Sequence, residues 1–202
     1  MTPDELRELL VLGHEAPGVE FKAPCDRTDK PKFAKIVRAV LGMANRRDGG
    51  KVVVGIEEGE AAQLSLLGLS SEQLRTWEPD AVAGAIDPYA DPFVTVSTAR
   101  VSYEGLEYVV LKVSEFEEVP VLCKKDYPDV LRQGACYVRR RGRIETSEIP
   151  TQAAMRDLIE LATEKGIRKF LHQMRRAGVD LSTIRTAADD VERFEQQRGD
   201  FR

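Results

Sequence analysis

Two glutamates and a lysine near the N-terminus have the types and spacing that phosphodiester chemistry uses. Glu15 and Glu20 are five residues apart, and Lys22 follows two residues after the second acid. The alternation in Val19-Glu20-Phe21-Lys22 predicts a short strand with an exposed Glu20–Lys22 pair on one face and the two apolar residues on the other. Carboxylates hold hard divalent cations and an ammonium group offsets phosphate charge, so the pattern favours a metal-dependent phosphodiesterase.

Composition limits the class of protein to which the chain can belong. The 202 residues carry a net charge of −4, with 42% hydrophobic and 32% charged residues, which is typical of a soluble globular protein. No apolar run approaches the ~20 residues that span a membrane, and the acidic N-terminus lacks the features of a signal peptide. We therefore expect a cytoplasmic protein that does not bind membranes.

The cysteines and histidines argue against a zinc site or a disulfide framework. Cys25, Cys123 and Cys136 are odd in number and lack CxxC spacing, which is typical of reduced thiols. His14 and His172 are the two histidines of the chain, too few for a histidine-rich site. A bound metal would take oxygen ligands, which points to Mg²⁺ or Mn²⁺.

A basic cluster is the best candidate for nucleic-acid binding. Arg139, Arg140, Arg141 and Arg143 place four positive charges within five residues. Tyr137 and Arg139 share a face of a predicted strand, and an arginine held on a strand can grip a phosphate through two hydrogen bonds. Arg139 is therefore the strongest predicted contact of the cluster.

The elements that position these residues predict an α+β fold. We expect a mixed, largely antiparallel sheet flanked by helices, with a C-terminal helical extension that serves as a cap or a dimerisation element. The expected helices are residues 3–12, a helix opened by Pro31, residues 71–86, and three C-terminal helices over 151–165, 167–177 and 181–197. The expected strands are residues 19–22, 51–57, 93–103, 106–113, 119–123 and 135–140.

Several motifs in order resemble the Schlafen AlbA-like domain family. They are Glu15 with Val-Glu20-Phe-Lys22, then Met43-Ala44-Asn45 with Gly49-Gly50-Lys-Val-Val-Val-Gly55-Ile56-Glu57-Glu58, then Gly68-Leu69, and finally Cys136-Tyr-Val-Arg139-Arg140. The resemblance runs from about Glu15 to about Ile149, which gives a domain of residues 1–149 and a helical extension of residues 150–202. Asn45 with the two glycines also has a purely structural explanation, as a helix end and tight turn in which Asn45 bonds its own backbone.

The resemblance implies a nuclease site, because animal Schlafen proteins cleave structured RNA with three acids. Here it implies metal ligands at Glu15, Glu20 and Glu57, with Glu58 as the alternative third acid. Lys22 falls on the family's lysine and would contact the phosphate. Both positions after the Gly55-Ile56 strand are glutamate where the family usually has aspartate, which moves the carboxylate by one methylene.

Two functions from different classes follow from these residues. The first is a divalent-metal-dependent endonuclease that favours structured RNA such as tRNA over DNA, with Arg139 to Arg143 holding the backbone. The alternative is a non-catalytic nucleic-acid-binding module of a transcriptional regulator or defence protein. A nucleotide-binding domain ranks low because the chain has no phosphate-binding G-x-x-x-x-G-K-(S/T) loop. A single lobe with spare apolar helices also predicts a homodimer.

Overall fold

The computed structural model describes residues 2–11, 18–59, 63–139 and 145–179, and they confirm the α+β class. The helices are α1 Pro3–Val11, α2 Lys30–Ala44, α3 Ser71–Arg75, α4 Pro79–Ile86 and α5 Gln152–Arg176, with a 3-10 turn over Asp87–Tyr89. The strands are β1 Val19–Lys22, β2 Gly50–Val54, β3 Ile56–Glu58, β4 Leu64–Leu66, β5 Ala90–Asp91, β6 Val96–Tyr103, β7 Leu106–Val113, β8 Leu122–Cys123, β9 Tyr137–Arg139 and β10 Thr146–Glu148.

The main sheet has four strands in the order β1-β2-β7-β6. β1 runs parallel to β2, whereas β2 with β7 and β7 with β6 are antiparallel. Three further antiparallel pairs, β3 with β4, β5 with β8 and β9 with β10, complete the strands of the described residues. β1 is therefore an edge strand of the main sheet, and the backbone along its free side can be approached by other elements.

Each face of the sheet is covered by its own apolar cluster. Val52 and Val54 of β2 belong to the larger cluster, which includes most of α2, while Val53 between them belongs to a second cluster with Leu6 of α1. This alternation follows from the two-residue period of a strand. Phe21 belongs to the second cluster, so Glu20 faces the side covered by α2.

Helix α2 is fixed at both ends by local chemistry. The side chain of Asp29 accepts a hydrogen bond from the backbone N–H of Lys32, and a proline occupies the first turn, which are two standard helix-start signals. After Asn45 the chain turns sharply through Gly49, whose φ is +65°. A Cβ atom there would lie 2.1 Å from the carbonyl oxygen of Val113, so this turn accepts only glycine.

Proline and glycine account for three differences between the predicted and observed elements. The predicted helix over 71–86 is wrong as one unit: it breaks before Pro79, because the residue that precedes a proline avoids helical angles and Glu78 is extended. The predicted strand over 51–57 is split by Gly55, whose φ is +115°. The predicted break at Gly166 is also wrong, since α5 continues through that residue.

The chain divides into two compact units, residues 1–162 and 163–202. The second unit contains exposed apolar side chains on the last turns of α5, among them Ile167 and Phe170. The third predicted C-terminal helix, over 181–197, lies outside the described residues. In the part of the chain that the structure describes, every helix is too short or too polar to cross a lipid bilayer.

Candidate functional site

Glu20 is the centre of a buried ion-pair network. Its Oε2 atom accepts hydrogen bonds from Nη1 of Arg139 at 2.6 Å and from Oγ1 of Thr146 at 2.8 Å, and its Oε1 atom pairs with Nζ of Lys22. The Glu20 side chain is 9% exposed. The prediction that Glu20 and Lys22 share a face is confirmed, but the prediction of an exposed pair is wrong for Glu20. These three donors replace the water that a carboxylate normally requires.

Arg139 reaches Glu20 because β9 and β10 form a hairpin beside the sheet edge. Arg139 and Thr146 are paired residues in the hairpin register, so both deliver donors to one carboxylate. Nη2 of Arg139 also donates to the carbonyl oxygen of Val19 at 2.8 Å, and the arginine side chain is 2% exposed. A direct phosphate contact by Arg139 would require this pair to open, so its nucleic-acid role stays a prediction.

Asn45 fixes the hairpin strand that carries Arg139. Its Nδ2 atom donates to the carbonyl oxygens of Val121 at 2.8 Å and Tyr137 at 2.9 Å, and its Oδ1 atom accepts from the N–H of Val121 at 2.7 Å. The structural explanation in which Asn45 bonds its own turn is wrong for the side chain. Asn45 instead joins the end of α2 to two segments more than 70 residues away, and thereby sets the position of β9.

Gly42 allows Thr146 to approach helix α2. A Cβ atom on Gly42 would lie 2.5 Å from Cγ2 of Thr146, which is far shorter than a normal van der Waals contact. The absent side chain therefore leaves the space into which Thr146 packs. Since Oγ1 of Thr146 bonds Glu20, this close packing also determines where the carboxylate lies.

Glu20 and Lys22 lie in a cleft of about 320 Å³ that also contains both candidate third acids. Its walls are formed by Glu20, Phe21, Lys22, Ala23, Arg38, Glu57, Glu58, Glu145 and Thr146. Because the strand is interrupted at Gly55 before β3 begins, Glu57 and Glu58 leave the main sheet together, and both line the cleft. Three of the predicted site residues, Glu20, Lys22 and Glu57, are thus brought together.

Four further predicted site residues belong to segments that the structure does not describe. Glu15, Arg140, Arg141 and Arg143 lie outside the described residues.

Sequence reasoning missed Arg38, Glu145 and Thr146, which also line the cleft. Arg38 could have been recognised from the sequence, because it is the one charged residue in the stretch 36–44 of α2. The other residues of that stretch are buried.

The described residues of the cleft provide the right kind of donor for Mg²⁺ or Mn²⁺ but not a complete set of ligands. Carboxylate oxygens are the ligands these ions prefer. Within the described residues, however, no three acidic, histidine or cysteine side chains lie close enough to hold a metal ion. Glu20 already accepts from three donors, and Glu15 is among the residues not described. A metal site here would have to combine Glu57 or Glu58 with an acid such as Glu15.

The cysteines are not candidate nucleophiles. Burial raises the pKa of the Cys25 and Cys136 thiols to about 11, and burial also raises the pKa of Cys123. A thiol must ionise to act as a nucleophile. The chemistry of the site therefore belongs to its carboxylates and cationic side chains.

Comparison with known proteins places this site within a family. A model of the family "Schlafen, AlbA_2" matches residues 15–148, which include every described residue of the cleft. No curated protein matches the sequence.

Two solved structures resemble the chain at 18% identity each. The DIP2311 protein of Corynebacterium diphtheriae has a TM-score of 0.44, and the match covers 72% of this chain and 27% of that one, so the chain spans about a quarter of its length. The N-terminal domain of an ATP-dependent DNA helicase RecG-related protein from Nitrosomonas europaea has a TM-score of 0.48, with 75% of this chain and 96% of that domain covered. On the family match, the chain belongs to the Schlafen AlbA_2 family.

Proposed function

We propose that this protein binds nucleic acid at the Glu20 cleft and cleaves it as a divalent-metal-dependent endonuclease, with structured RNA such as tRNA as its favoured substrate. Membership of a family that includes proteins acting on nucleic acids supports the binding. The observation that carries the proposal is the convergence of Glu20, Lys22, Glu57 and Glu58 on one cleft from separate strands.

The charge of the cleft supports a role for a cation. Among the described residues that line it, four carry carboxylates, Glu20, Glu57, Glu58 and Glu145, against the two cationic side chains of Lys22 and Arg38. Such a surplus of negative charge repels the phosphate backbone of a nucleic acid. A bound divalent cation would remove this repulsion and supply a Lewis acid for the scissile phosphate.

The chain's own residues have separate roles in this proposal. Glu57 and Glu58 are exposed and can turn toward a cation, for which the family resemblance supplies Glu15 as a further ligand. Lys22 is partly exposed and already held by Glu20, so its ammonium group is positioned to offset charge on a phosphate. Glu20 in turn accepts hydrogen bonds from Arg139 and Thr146. These bonds fix the position of the carboxylate that pairs with Lys22.

The test compares cleavage by variants that keep the fold. Wild type, Glu57→Gln, Glu58→Gln and the double variant are incubated with tRNA and with single-stranded DNA, in Mn²⁺ or in EDTA. Glu117→Gln, an exposed glutamate outside the cleft, is the matched control. We expect cleavage of tRNA in Mn²⁺ by wild type and the control, with loss in the double variant and in EDTA. Equal cleavage by all variants would overturn the assignment of the site.

The second candidate is a non-catalytic nucleic-acid-binding module, and one specific observation favours it. Both oxygens of the Glu20 carboxylate are engaged by protein donors, as expected of a residue that holds the structure together. In that case wild type and the Glu57/Glu58 double variant bind RNA or DNA, and neither cleaves it in any metal. Binding measured alongside cleavage therefore separates the two functions.

We also propose that the protein is a homodimer. Ile167 and Phe170 are 53% and 57% exposed, and burying such side chains against a second copy would be favourable. Light scattering at micromolar concentration should give twice the chain mass of 22.6 kDa, and Phe170→Glu should return the monomer. A monomer mass for wild type contradicts this.

A further inference from the structure

Arg38 lies where the Glu20 cleft meets a second cavity. The second cavity measures about 550 Å³ and is bounded by the segment 126–132 together with Tyr137 and residues 145–148. Arg38, Glu145 and Thr146 line both spaces. A ligand that extends from one cavity into the other must therefore pass Arg38.

The arginine at this junction has unused hydrogen-bonding capacity. Within the described residues, Arg38 makes no hydrogen bond and no ion pair, although it is half-buried. The other arginine of the second cavity, Arg132, is occupied by an ion pair with Glu148 at 2.6 Å. A guanidinium group carries five N–H donors in a planar fork that fits two oxygens of one phosphate. Of the described residues that line both cavities, Arg38 is thus the cationic one, and it is open to a ligand.

The second cavity fits a base better than a second phosphate. Tyr127, Pro128, Val130 and Leu131 provide aromatic and apolar surface on one side. In the described part of its lining, Asp126, Asp129, Glu145 and Glu148 provide four acids against two arginines, so further phosphate charge would be repelled. Aromatic side chains stack on nucleic-acid bases without strict sequence preference, and the half-buried Tyr127 offers such a surface.

We propose that Arg38 binds a backbone phosphate at the junction of the two cavities, so that one nucleotide of a single-stranded segment lies in the Glu20 cleft and the next places its base against Tyr127. This inference rests on the proposed nucleic-acid function and names the residues that position the strand. It does not depend on cleavage, because the contacts named belong to the ground-state complex.

The test measures binding without cleavage, with a fluorescein-labelled ten-nucleotide single-stranded RNA at several salt concentrations. Ca²⁺ replaces Mn²⁺ so that a hard cation still offsets the negative charge of the cleft, and a gel shows that the RNA stays intact. Arg38→Gln should weaken binding roughly tenfold and reduce the slope of log affinity against log salt by about one. Arg38→Lys should keep the salt slope but recover only part of the affinity, because an ammonium group cannot bind two oxygens in one plane. Tyr127→Leu should weaken binding and leave the salt slope unchanged.

The controls separate this inference from the proposed function. Lys35→Gln removes an exposed charge on the same helix outside both cavities and should change affinity less than twofold. Thermal melts test whether each variant folds. If Arg38→Gln does not fold, the affinity of Arg38→Lys tests the inference in its place. Wild-type binding that Arg38→Gln leaves intact overturns the inference alone. If wild type binds neither RNA nor DNA, the proposed function and the inference are both overturned. If binding depends on Arg38 but no cleavage occurs in Mn²⁺, the inference is sustained and only the endonuclease activity is overturned.

Discussion

The guanidinium group of Arg139 lies 2.6 Å from the carboxylate of Glu20, although 119 residues separate them in the chain. Both side chains are almost completely shielded from water. An ion pair in this environment stabilises the fold only while both partners are present, because a buried charge without its partner is strongly unfavourable.

Loss of Arg139 should therefore destabilise the protein. Arg139→Gln removes the charge opposite Glu20, and we expect the free energy of unfolding in urea to fall by about 3 kcal/mol. The double variant Glu20→Gln/Arg139→Gln should lose less than the sum of its two single variants, because their partners are the same. Arg132→Gln, which breaks the exposed pair with Glu148, should lower the free energy of unfolding by at most about 1 kcal/mol. Equal stability of Arg139→Gln and wild type would contradict the role assigned to the pair.

A methyl group on Gly42 should disturb the site through Thr146. Because the added Cβ atom would overlap Cγ2 of Thr146, Gly42→Ala should lower the free energy of unfolding by about 1–3 kcal/mol. Gly84→Ala is a matched control in helix α4, where nothing lies within 4 Å of the added atom. That control should gain up to about 1 kcal/mol from higher helix propensity. Urea unfolding that shows a gain in both variants would rule out the close packing.

Truncation of Asn45 should release the hairpin strand. Asn45→Ala leaves buried groups of Val121 and Tyr137 without partners, and each such group costs about 1–3 kcal/mol. We expect a loss of at least about 2 kcal/mol and faster hydrogen exchange at the Val121 amide. Gln133→Ala, at an exposed position, should change neither quantity. Unchanged exchange at Val121 in Asn45→Ala would show that the amide bonds do not hold this segment.

The cysteines should react slowly in the folded protein. Burial raises the pKa of Cys25 and Cys136 to about 11, whereas thiols in an unfolded chain ionise near pH 8.5. At pH 8, iodoacetamide should therefore modify the folded protein far more slowly than the urea-unfolded protein. Rapid modification of either residue in the folded state would contradict the assigned burial.

The same shift gives a stability change with a definite sign. Above about pH 8.5 the unfolded thiols lose protons while the folded thiols keep them, so the folded state binds more protons. The free energy of unfolding should then fall as pH rises from about 8.5 toward 11. Replacement of Cys25 and Cys136 by alanine should reduce this pH dependence. A wild-type stability that rises over this range would have the wrong sign.

Local patterns in the sequence were enough to predict the elements that carry the site. The alternation around Glu20, the helix opened by Pro31 and the two strands predicted over 93–103 and 106–113 each depend on neighbouring residues. The pairing of Glu20 with Arg139 could not be predicted in this way. It depends on how a hairpin packs against an edge strand, and no local periodicity reports such a contact.

The wrongly predicted element boundaries also depend on interactions that a local pattern does not report. A glycine inside an apolar helical pattern costs only about 1 kcal/mol, so Gly166 was outweighed by its neighbours in α5. A proline in a helix is far more disruptive, and Pro79 begins a new helix. The interruption at Gly55 follows from its positive φ. The sequence Val-Val-Val-Gly-Ile does not predict this backbone angle.

The dependence of Glu20 on Thr146 also sets an order in time. A ribosome synthesises Glu20 first, and the donors of Arg139 and Thr146 are added only 119 and 126 residues later. Until then the carboxylate has no buried partner on the hairpin side, and the edge strand is open. The nascent chain therefore cannot complete this site before Thr146 has been added, so any activity that requires the assembled cleft begins only after both hairpin strands have been made.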